Sequence, residues 1–118
     1  VLCPAAAAST VRLTLGAENV SIVELSASKG RAEVDLTEAI HALRALGRNS
    51  IVCEGGPKLA GQLLNAGLVD ELCLSTSPQV SATVKPVLPG LVSGSPLHLE
   101  QLLSDVDGHL FARWTLPT

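Results

Sequence analysis

The stretch that decides the fold is SIVCEGGPKLAG, residues 50–61. Its first four residues, SIVC, are nearly all apolar, which is typical of a short strand covered on both faces of a sheet. After Glu54 come two glycines and then Pro57, which fits the first turn of a helix because its missing N–H is not needed there. The stretch therefore predicts a buried strand that leads directly into a helix over residues 58–66, closed by Gly67.

Upstream of this stretch, strand and helix patterns alternate. Residues 1–3 predict a short strand, residues 5–15 a helix that ends at Gly16, residues 20–25 a second strand and residues 26–33 a loop. The segment Asp35-Leu36-Thr37-Glu38 matches a capping box, and the apolar residues behind it follow helical spacing. A helix is therefore expected to run to Leu46 and to stop at Gly47.

Downstream, the sequence predicts a strand, a long loop and a hairpin. Residues 69–75 alternate as a strand does, and residues 76–95 contain three prolines and two glycines. Two alternating runs, residues 97–103 and 109–116, flank Asp-Val-Asp-Gly at 105–108, which is a hairpin signal that places His98 and His109 on facing strands. The 118 residues are expected to form a single α/β domain whose sheet is parallel in its first part and ends in an antiparallel hairpin.

Composition excludes several classes of function. The chain is 47% hydrophobic and 16% charged with a net charge of −3, so it is too apolar for a disordered tail, and no apolar run is long enough to span a membrane. Eight basic against eleven acidic residues leave no basic surface for nucleic acid. One Phe and one Trp are too few for base stacking. No nucleic-acid or membrane partner is expected.

The cysteines and histidines indicate neither a metal site nor disulfides. Three cysteines and three histidines are dispersed along the chain, and no two cysteines form a CxxC pair. Cys53 and Cys73 lie in apolar strand-like runs and are expected to pack as small hydrophobic residues. This cysteine usage predicts a reducing, cytoplasmic environment.

Residues 54–61 are the candidate site, because ligands of open α/β sheets bind beyond the carboxyl ends of the strands. Gly55 and Gly56 would let phosphates approach the backbone, and the N–H groups of residues 58–61 would favour an anion, with the charge of Lys58 beside them. A tight strand-to-helix turn needs the same Gly-Gly-Pro, and the residues alone leave both interpretations open.

Other polar residues carry weaker indications of chemistry. Glu54, at the mouth of the predicted strand, could hold a substrate hydroxyl or amine, or it could simply be solvated. Asp70 and Glu71 are expected to cap a turn or to pair with an arginine rather than to act chemically. No nucleophile lies beside a base in the sequence, so the catalytic residue remains unknown.

Residues 43–78, LRALGRNSIVCEGGPKLAGQLLNAGLVDELCLSTSP, resemble the signature of the RibD C-terminal family, the reductases of riboflavin biosynthesis. The resemblance implies a dihydrofolate-reductase-like fold, a three-layer α-β-α arrangement with a mixed, partly parallel sheet. It also implies an NADPH-dependent reductase that transfers hydride to the sugar C1 of 5-amino-6-(5-phosphoribosylamino)uracil or a related ribosylamino-pyrimidine. A homodimer is expected on the same ground.

The resemblance also assigns roles to residues of the candidate site. The acid that contacts substrate in the family corresponds to Glu54. The stretch that contacts NADP corresponds to the residues that open and form the start of the helix, with Gly55 beside them: Gly56, Pro57, Lys58, Leu59, Ala60, Gly61 and Gln62.

The chain departs from the family pattern in three places. Lys58 stands where the family usually has Thr or Ser, and residues 79–82 replace a glycine-containing loop. The N-terminal half of the family domain has no counterpart, and the chain opens on a strand without Met, so we expect a fragment, the C-terminal part of a reductase-like domain, with an unpaired sheet edge. Two alternatives stay open: a non-catalytic nucleotide-binding or dimerisation module, and a family relative that reduces a pterin- or folate-like substrate.

Overall fold

The computed structural model describes residues 1–16, 20–26, 34–82, 86–92, 94 and 96–117. The chain divides into two compact units, residues 1–52 and residues 53–118. Among the helices in these ranges, none is long and apolar enough to cross a membrane.

The first unit is built on a pair of short parallel strands joined through a helix. Strand β1, Leu2–Pro4, leads through a 3₁₀ turn, Ala5–Ala7, into helix α1, Ala8–Leu15, and β2, Val23–Leu25, pairs with β1 in parallel. Gly16 ends α1 with a φ of 56°, as expected. The predicted strand over residues 20–25 was too long, because the three residues of β1 pair with only three residues of β2.

Helix α2, Leu36–Ala45, shows one of the two hydrogen bonds that a capping box predicts. The side chain of Asp35 accepts a hydrogen bond of 3.0 Å from the Glu38 N–H. The Glu38 carboxylate accepts instead from the N–H (3.0 Å) and the hydroxyl (3.3 Å) of Ser26, so it ties the helix to the end of β2. Leu46 and Gly47, with its φ of 77°, end the helix as expected. Residues 27–33 of the predicted loop lie outside the described ranges.

In the second unit, helix α3, Pro57–Asn65, precedes a three-stranded antiparallel sheet. Gly67 ends α3 with a φ of 64°, and the Leu68 N–H donates to the Leu63 carbonyl at 3.0 Å. Because Leu68 still completes the end of the helix, strand β3 begins later than predicted, at Glu71, and runs to Thr76. The other two strands are β4, His98–Ser104, and β5, Leu110–Thr115, in the order β3-β5-β4.

The predicted hairpin of β4 and β5 is confirmed, but its two histidines do not face each other. A bulge between Leu99 and Gln101 sets a register in which His98 lies opposite Thr115. His109 precedes β5 in the turn, where its Nδ1 lies 2.9 Å from Asp105 Oδ2. Gly108, with a φ of 85°, provides the left-handed residue of the turn.

The prediction of a buried strand over residues 50–53 is wrong. No strand is assigned there, Ile51 is 39% exposed and Val52 is 82% exposed. An apolar segment becomes a buried strand only when neighbouring strands pair with it and other elements cover it, and nothing in the described ranges pairs with this one.

The expectation that Cys53 and Cys73 are buried is also wrong, since both are exposed while Cys3 is buried. Side chains alternate between the two faces of β3, so Leu72 and Leu74 are half-buried on one face and Cys73 points to the other. The Cys73 face also carries the ion pair of Arg113 and Glu71. Alternation along an amphipathic strand therefore explains the exposure of Cys73.

Candidate functional site

The candidate site surrounds the start of α3, where Gly56 is the N-cap residue and Pro57 occupies the first turn. Gly56 has extended backbone angles, φ −64° and ψ 169°. Its carbonyl accepts hydrogen bonds from the N–H groups of Leu59 at 3.0 Å and Ala60 at 3.2 Å. Pro57 has no N–H to leave unpaired, so local chemistry alone accounts for the position of this helix start.

These bonds correct the expectation that the N–H groups of residues 58–61 are all available to a ligand. The N–H groups of Leu59 and Ala60 are already used within the first turn, and Gly61 lies in the body of the helix. The N–H groups of Gly55, Gly56 and Lys58 have no acceptor in the part of the chain that the structure describes. Three backbone donors therefore remain at the positive end of the helix dipole.

The two glycines at this turn differ in what a side chain would meet. A Cβ on Gly55 would lie 2.6 Å from Leu59 Cδ2 and 3.4 Å from Cys53 Sγ, so Leu59 would have to change its rotamer. Among the residues that the structure describes, a Cβ on Gly56 would meet no atom within 4 Å. The chain's own packing thus gives no reason for glycine at position 56, whose surroundings are open to an approaching ligand.

The packing around α3 explains why position 61 is a glycine. Gly61 is buried, and a Cβ there would lie 2.9 Å from the carbonyl oxygen of Pro89. The absence of a side chain therefore serves the close approach of a loop to α3. Gln62, the next residue, is exposed.

Two opposite charges flank Gly55 and Gly56. Glu54 and Lys58 are both exposed, and neither side chain has a hydrogen-bond or ion-pair partner among the residues whose placement is described. Charged groups without a partner can bind a ligand without first breaking an internal contact. Glu54 is therefore available to a hydroxyl or amine, and Lys58 to an anion.

Of the two acidic residues after α3, Glu71 pairs with an arginine as predicted, whereas the Asp70 side chain has no partner in the described ranges. Glu71 Oε1 accepts a hydrogen bond of 3.2 Å from Arg113 Nη1 across the sheet. The backbone carbonyl of Asp70 accepts from the Leu116 N–H at 3.1 Å. His41 is exposed on α2 and has no hydrogen bond or ion pair from its side chain within the described ranges.

Sequence reasoning missed a loop that is fastened to α3. The side-chain Nδ2 of Asn65 donates to the Gly90 carbonyl at 2.8 Å, and its Oδ1 accepts from the Val92 N–H at 3.0 Å. No periodicity marks such a contact, because its partners lie 25 and 27 residues away. The loop and α3 border an apolar cavity of about 610 Å³ together with the sheet, lined by Leu64, Leu72, Leu88, Leu91, Val92, Leu97 and Leu116 among others.

Comparison with known proteins supports the resemblance drawn from residues 43–78. The model of the RibD C-terminal domain family matches residues 1–104. A pyrimidine reductase-like protein from Corynebacterium diphtheriae superposes with a TM-score of 0.78 at 26% identity, over 99% of this chain. A protein assigned to riboflavin biosynthesis from Shewanella sp. PV-4 superposes with a TM-score of 0.64 at 18% identity, also over 99% of this chain.

These likenesses confirm the expected fold class, a mixed α/β fold of the dihydrofolate-reductase-like kind with parallel and antiparallel strands. The chain spans about half, 48%, of the C. diphtheriae protein and 73% of the Shewanella protein. No protein of curated function matches the sequence.

Proposed function

The chain belongs to the RibD C-terminal domain family, and from that premise we propose that it is the cofactor-binding part of an NADPH-dependent reductase. The proposed substrate is 5-amino-6-(5-phosphoribosylamino)uracil or a related ribosylamino-pyrimidine. The family and the name of the C. diphtheriae neighbour support reduction of a pyrimidine. The start of α3 supports a phosphate-containing cofactor.

The observation that carries the proposal is the combination of open space and unused donors at Gly56. A Cβ there would meet nothing within 4 Å, and the N–H groups of Gly55, Gly56 and Lys58 lack acceptors in the described ranges. A pyrophosphate has oxygens that accept several N–H groups at once, and the helix dipole favours its negative charge. The residues present therefore fit the phosphates of NADPH.

Lys58 replaces the Thr or Ser usual in the family and adds a positive charge to this site. An exposed ammonium without an internal partner is free to contact a phosphate oxygen. Leu59, Ala60, Gly61 and Gln62 also belong to the stretch that the resemblance assigns to the cofactor. In the proposed role, these four residues form the helix that presents the donors, and contact with the ligand falls to Gly55, Gly56, Pro57 and Lys58.

Glu54 is proposed to bind substrate. Its carboxylate precedes the two glycines directly and accepts hydrogen bonds from hydroxyl or amine groups of a ribosylamino-pyrimidine. When bound, NADPH would supply hydride to the sugar C1 of the ring-opened imine and leave as NADP⁺, and a proton from solvent would complete the amine, so that a ribosyl group becomes a ribityl group. Glu54 would orient the sugar or the amine for that transfer.

The substitution Gly56→Val tests the cofactor site in the full-length protein. The backbone angles of Gly56 suit any residue, so Val places two methyl groups in the path of the phosphates without straining the chain. We expect calorimetric titration to show no NADPH binding by this variant. Gly94→Val is the matched control, because a Cβ on Gly94 also meets no described atom within 4 Å, and it should bind as the wild type does. Equal affinity in the two variants would contradict the assignment.

The alternatives predict different results when turnover is measured alongside the NADPH titration. A non-catalytic nucleotide-binding or dimerisation module would bind NADPH but turn over no ribosylamino-pyrimidine, and a relative of different specificity would oxidise NADPH only with a pterin or folate.

A homodimer is proposed for the full-length protein. Sedimentation equilibrium would show twice the subunit mass if this is correct and the subunit mass if it is not.

A further inference from the structure

The loop fastened to α3, residues 89–92, is called the strap here. It contacts one face of α3 at two successive turns. Gly61 and Asn65 are four residues apart and therefore lie on the same face, and Lys58, three residues before Gly61, continues that face toward the start of the helix. At Gly61 the strap comes so close that a Cβ would lie 2.9 Å from the Pro89 oxygen. At Asn65 two hydrogen bonds, of 2.8 and 3.0 Å, hold it.

We propose that the strap holds α3 in the position that the cofactor phosphates require, and that Gly61 and Asn65 are positioning residues for cofactor binding. This inference rests on the proposed function of the helix start. The close approach of Pro89 to Gly61 and the two hydrogen bonds of Asn65 lie one helical turn apart. Together they restrain both the rotation of α3 about its axis and its distance from the strap. The donor of Lys58 belongs to the same rigid helix, and the Gly56 carbonyl is bonded to its first turn, so a shift of α3 moves the donors.

Hydrogen bonds, rather than apolar packing, hold the far end of the strap. Val92 is 87% exposed and Leu91 is 41% exposed, so neither side chain anchors this end by burial. Asn65 commits both groups of its amide to the strap, the Nδ2 to the Gly90 carbonyl and the Oδ1 to the Val92 N–H. Removing this amide should release the strap at Asn65 and leave the rest of the helix intact.

Two variants of the full-length protein test the role, each compared with wild type for NADPH affinity by calorimetry and for thermal stability. In Gly61→Ala the new methyl group pushes α3 and Pro89 apart, although Ala is the better helix former. Asn65→Ala removes both hydrogen bonds. We expect the Kd for NADPH to rise about fivefold in each, the change that corresponds to the net contribution of one hydrogen bond.

Leu63→Ala is the matched control. Leu63 is buried on α3, and the hydrogen bonds described between α3 and the strap come from Asn65 and not from Leu63. The substitution should lower the melting temperature and leave the Kd of the folded protein unchanged. The positioning role is overturned if Gly61→Ala and Asn65→Ala keep the wild-type Kd, or if Leu63→Ala raises it equally. A wild-type protein that binds no NADPH would refute the proposed function and the positioning role together, so the two failures are distinguishable.

Discussion

Replacement of Asp105 by Ala should destabilise the β4–β5 hairpin far more than replacement of its neighbour Asp107. Asp105 Oδ1 accepts from the N–H groups of Asp107 at 3.0 Å and His109 at 2.9 Å, and Oδ2 lies 2.9 Å from His109 Nδ1. One carboxylate therefore satisfies two backbone donors and orients the ring beside them, as Asx turns do.

The size of the effect follows from these three contacts and from their exposure. A hydrogen bond contributes about 0.5–1.5 kcal/mol net, and one to a charged group contributes more when it is buried. The side chains of Asp105 and His109 are 37% and 41% exposed, so solvent screens the charged contact and reduces its value. We therefore expect Asp105→Ala to lower the free energy of unfolding by about 2 kcal/mol.

Urea denaturation of the full-length protein measures this change, and two further variants sharpen it. Asp105→Asn keeps an oxygen for the backbone donors and should lose about half as much stability. Asp107→Ala is the matched control, since the Asp107 side chain has no partner in the described ranges, and it should stay within about 0.5 kcal/mol of wild type. The reasoning is refuted if Asp105→Ala and Asp107→Ala lose the same stability.

Two further predictions concern Glu54 and Glu38. Glu54→Gln in the full-length protein should slow turnover of the pyrimidine substrate and leave the Kd for NADPH nearly unchanged; parallel loss of both, measured by kinetics and calorimetry, would mean that Glu54 acts structurally. Glu38→Ala should lower the free energy of unfolding by about 1 kcal/mol, because the N–H and hydroxyl of Ser26 lose their acceptor. Glu38→Gln, which keeps one oxygen acceptor, should lose less in the same urea titration, and equal losses would argue against this role of the carboxylate.

The C-terminal ends of the helices and the start of α3 were predictable because each depends on residues close in sequence, whereas α1 begins at Ala8, after a 3₁₀ turn, and not at residue 5 as predicted. Gly16, Gly47 and Gly67 adopt positive φ at the ends of α1, α2 and α3, and Pro57 opens α3. The β4–β5 hairpin was predictable for the same reason, since Gly108 provides its left-handed residue within a four-residue turn. Such signals need no distant partner.

The turn that carries the candidate site was predictable, but its free donors were not. The Gly-Gly-Pro and the helix start within residues 54–61 predicted either a phosphate site or a tight strand-to-helix turn. Which N–H groups remain unused depends on the bonds that the Gly56 carbonyl accepts, and these require the actual geometry of the turn. The contrast between the open surroundings of Gly56 and the packed surroundings of Gly61 likewise appears only in three dimensions.

The sequence by itself thus determined the C-terminal ends of the helices, the hairpin turn and the Gly-Gly-Pro turn that opens α3, because capping, proline and left-handed glycine act over a few neighbouring residues. The tertiary structure alone decided that residues 50–53 form no strand, that Cys73 faces solvent and that Asn65 fastens the strap. Strand pairing, burial and long-range hydrogen bonds depend on what the fold brings alongside a residue. Those partners lie far away in sequence, and no local pattern identifies them.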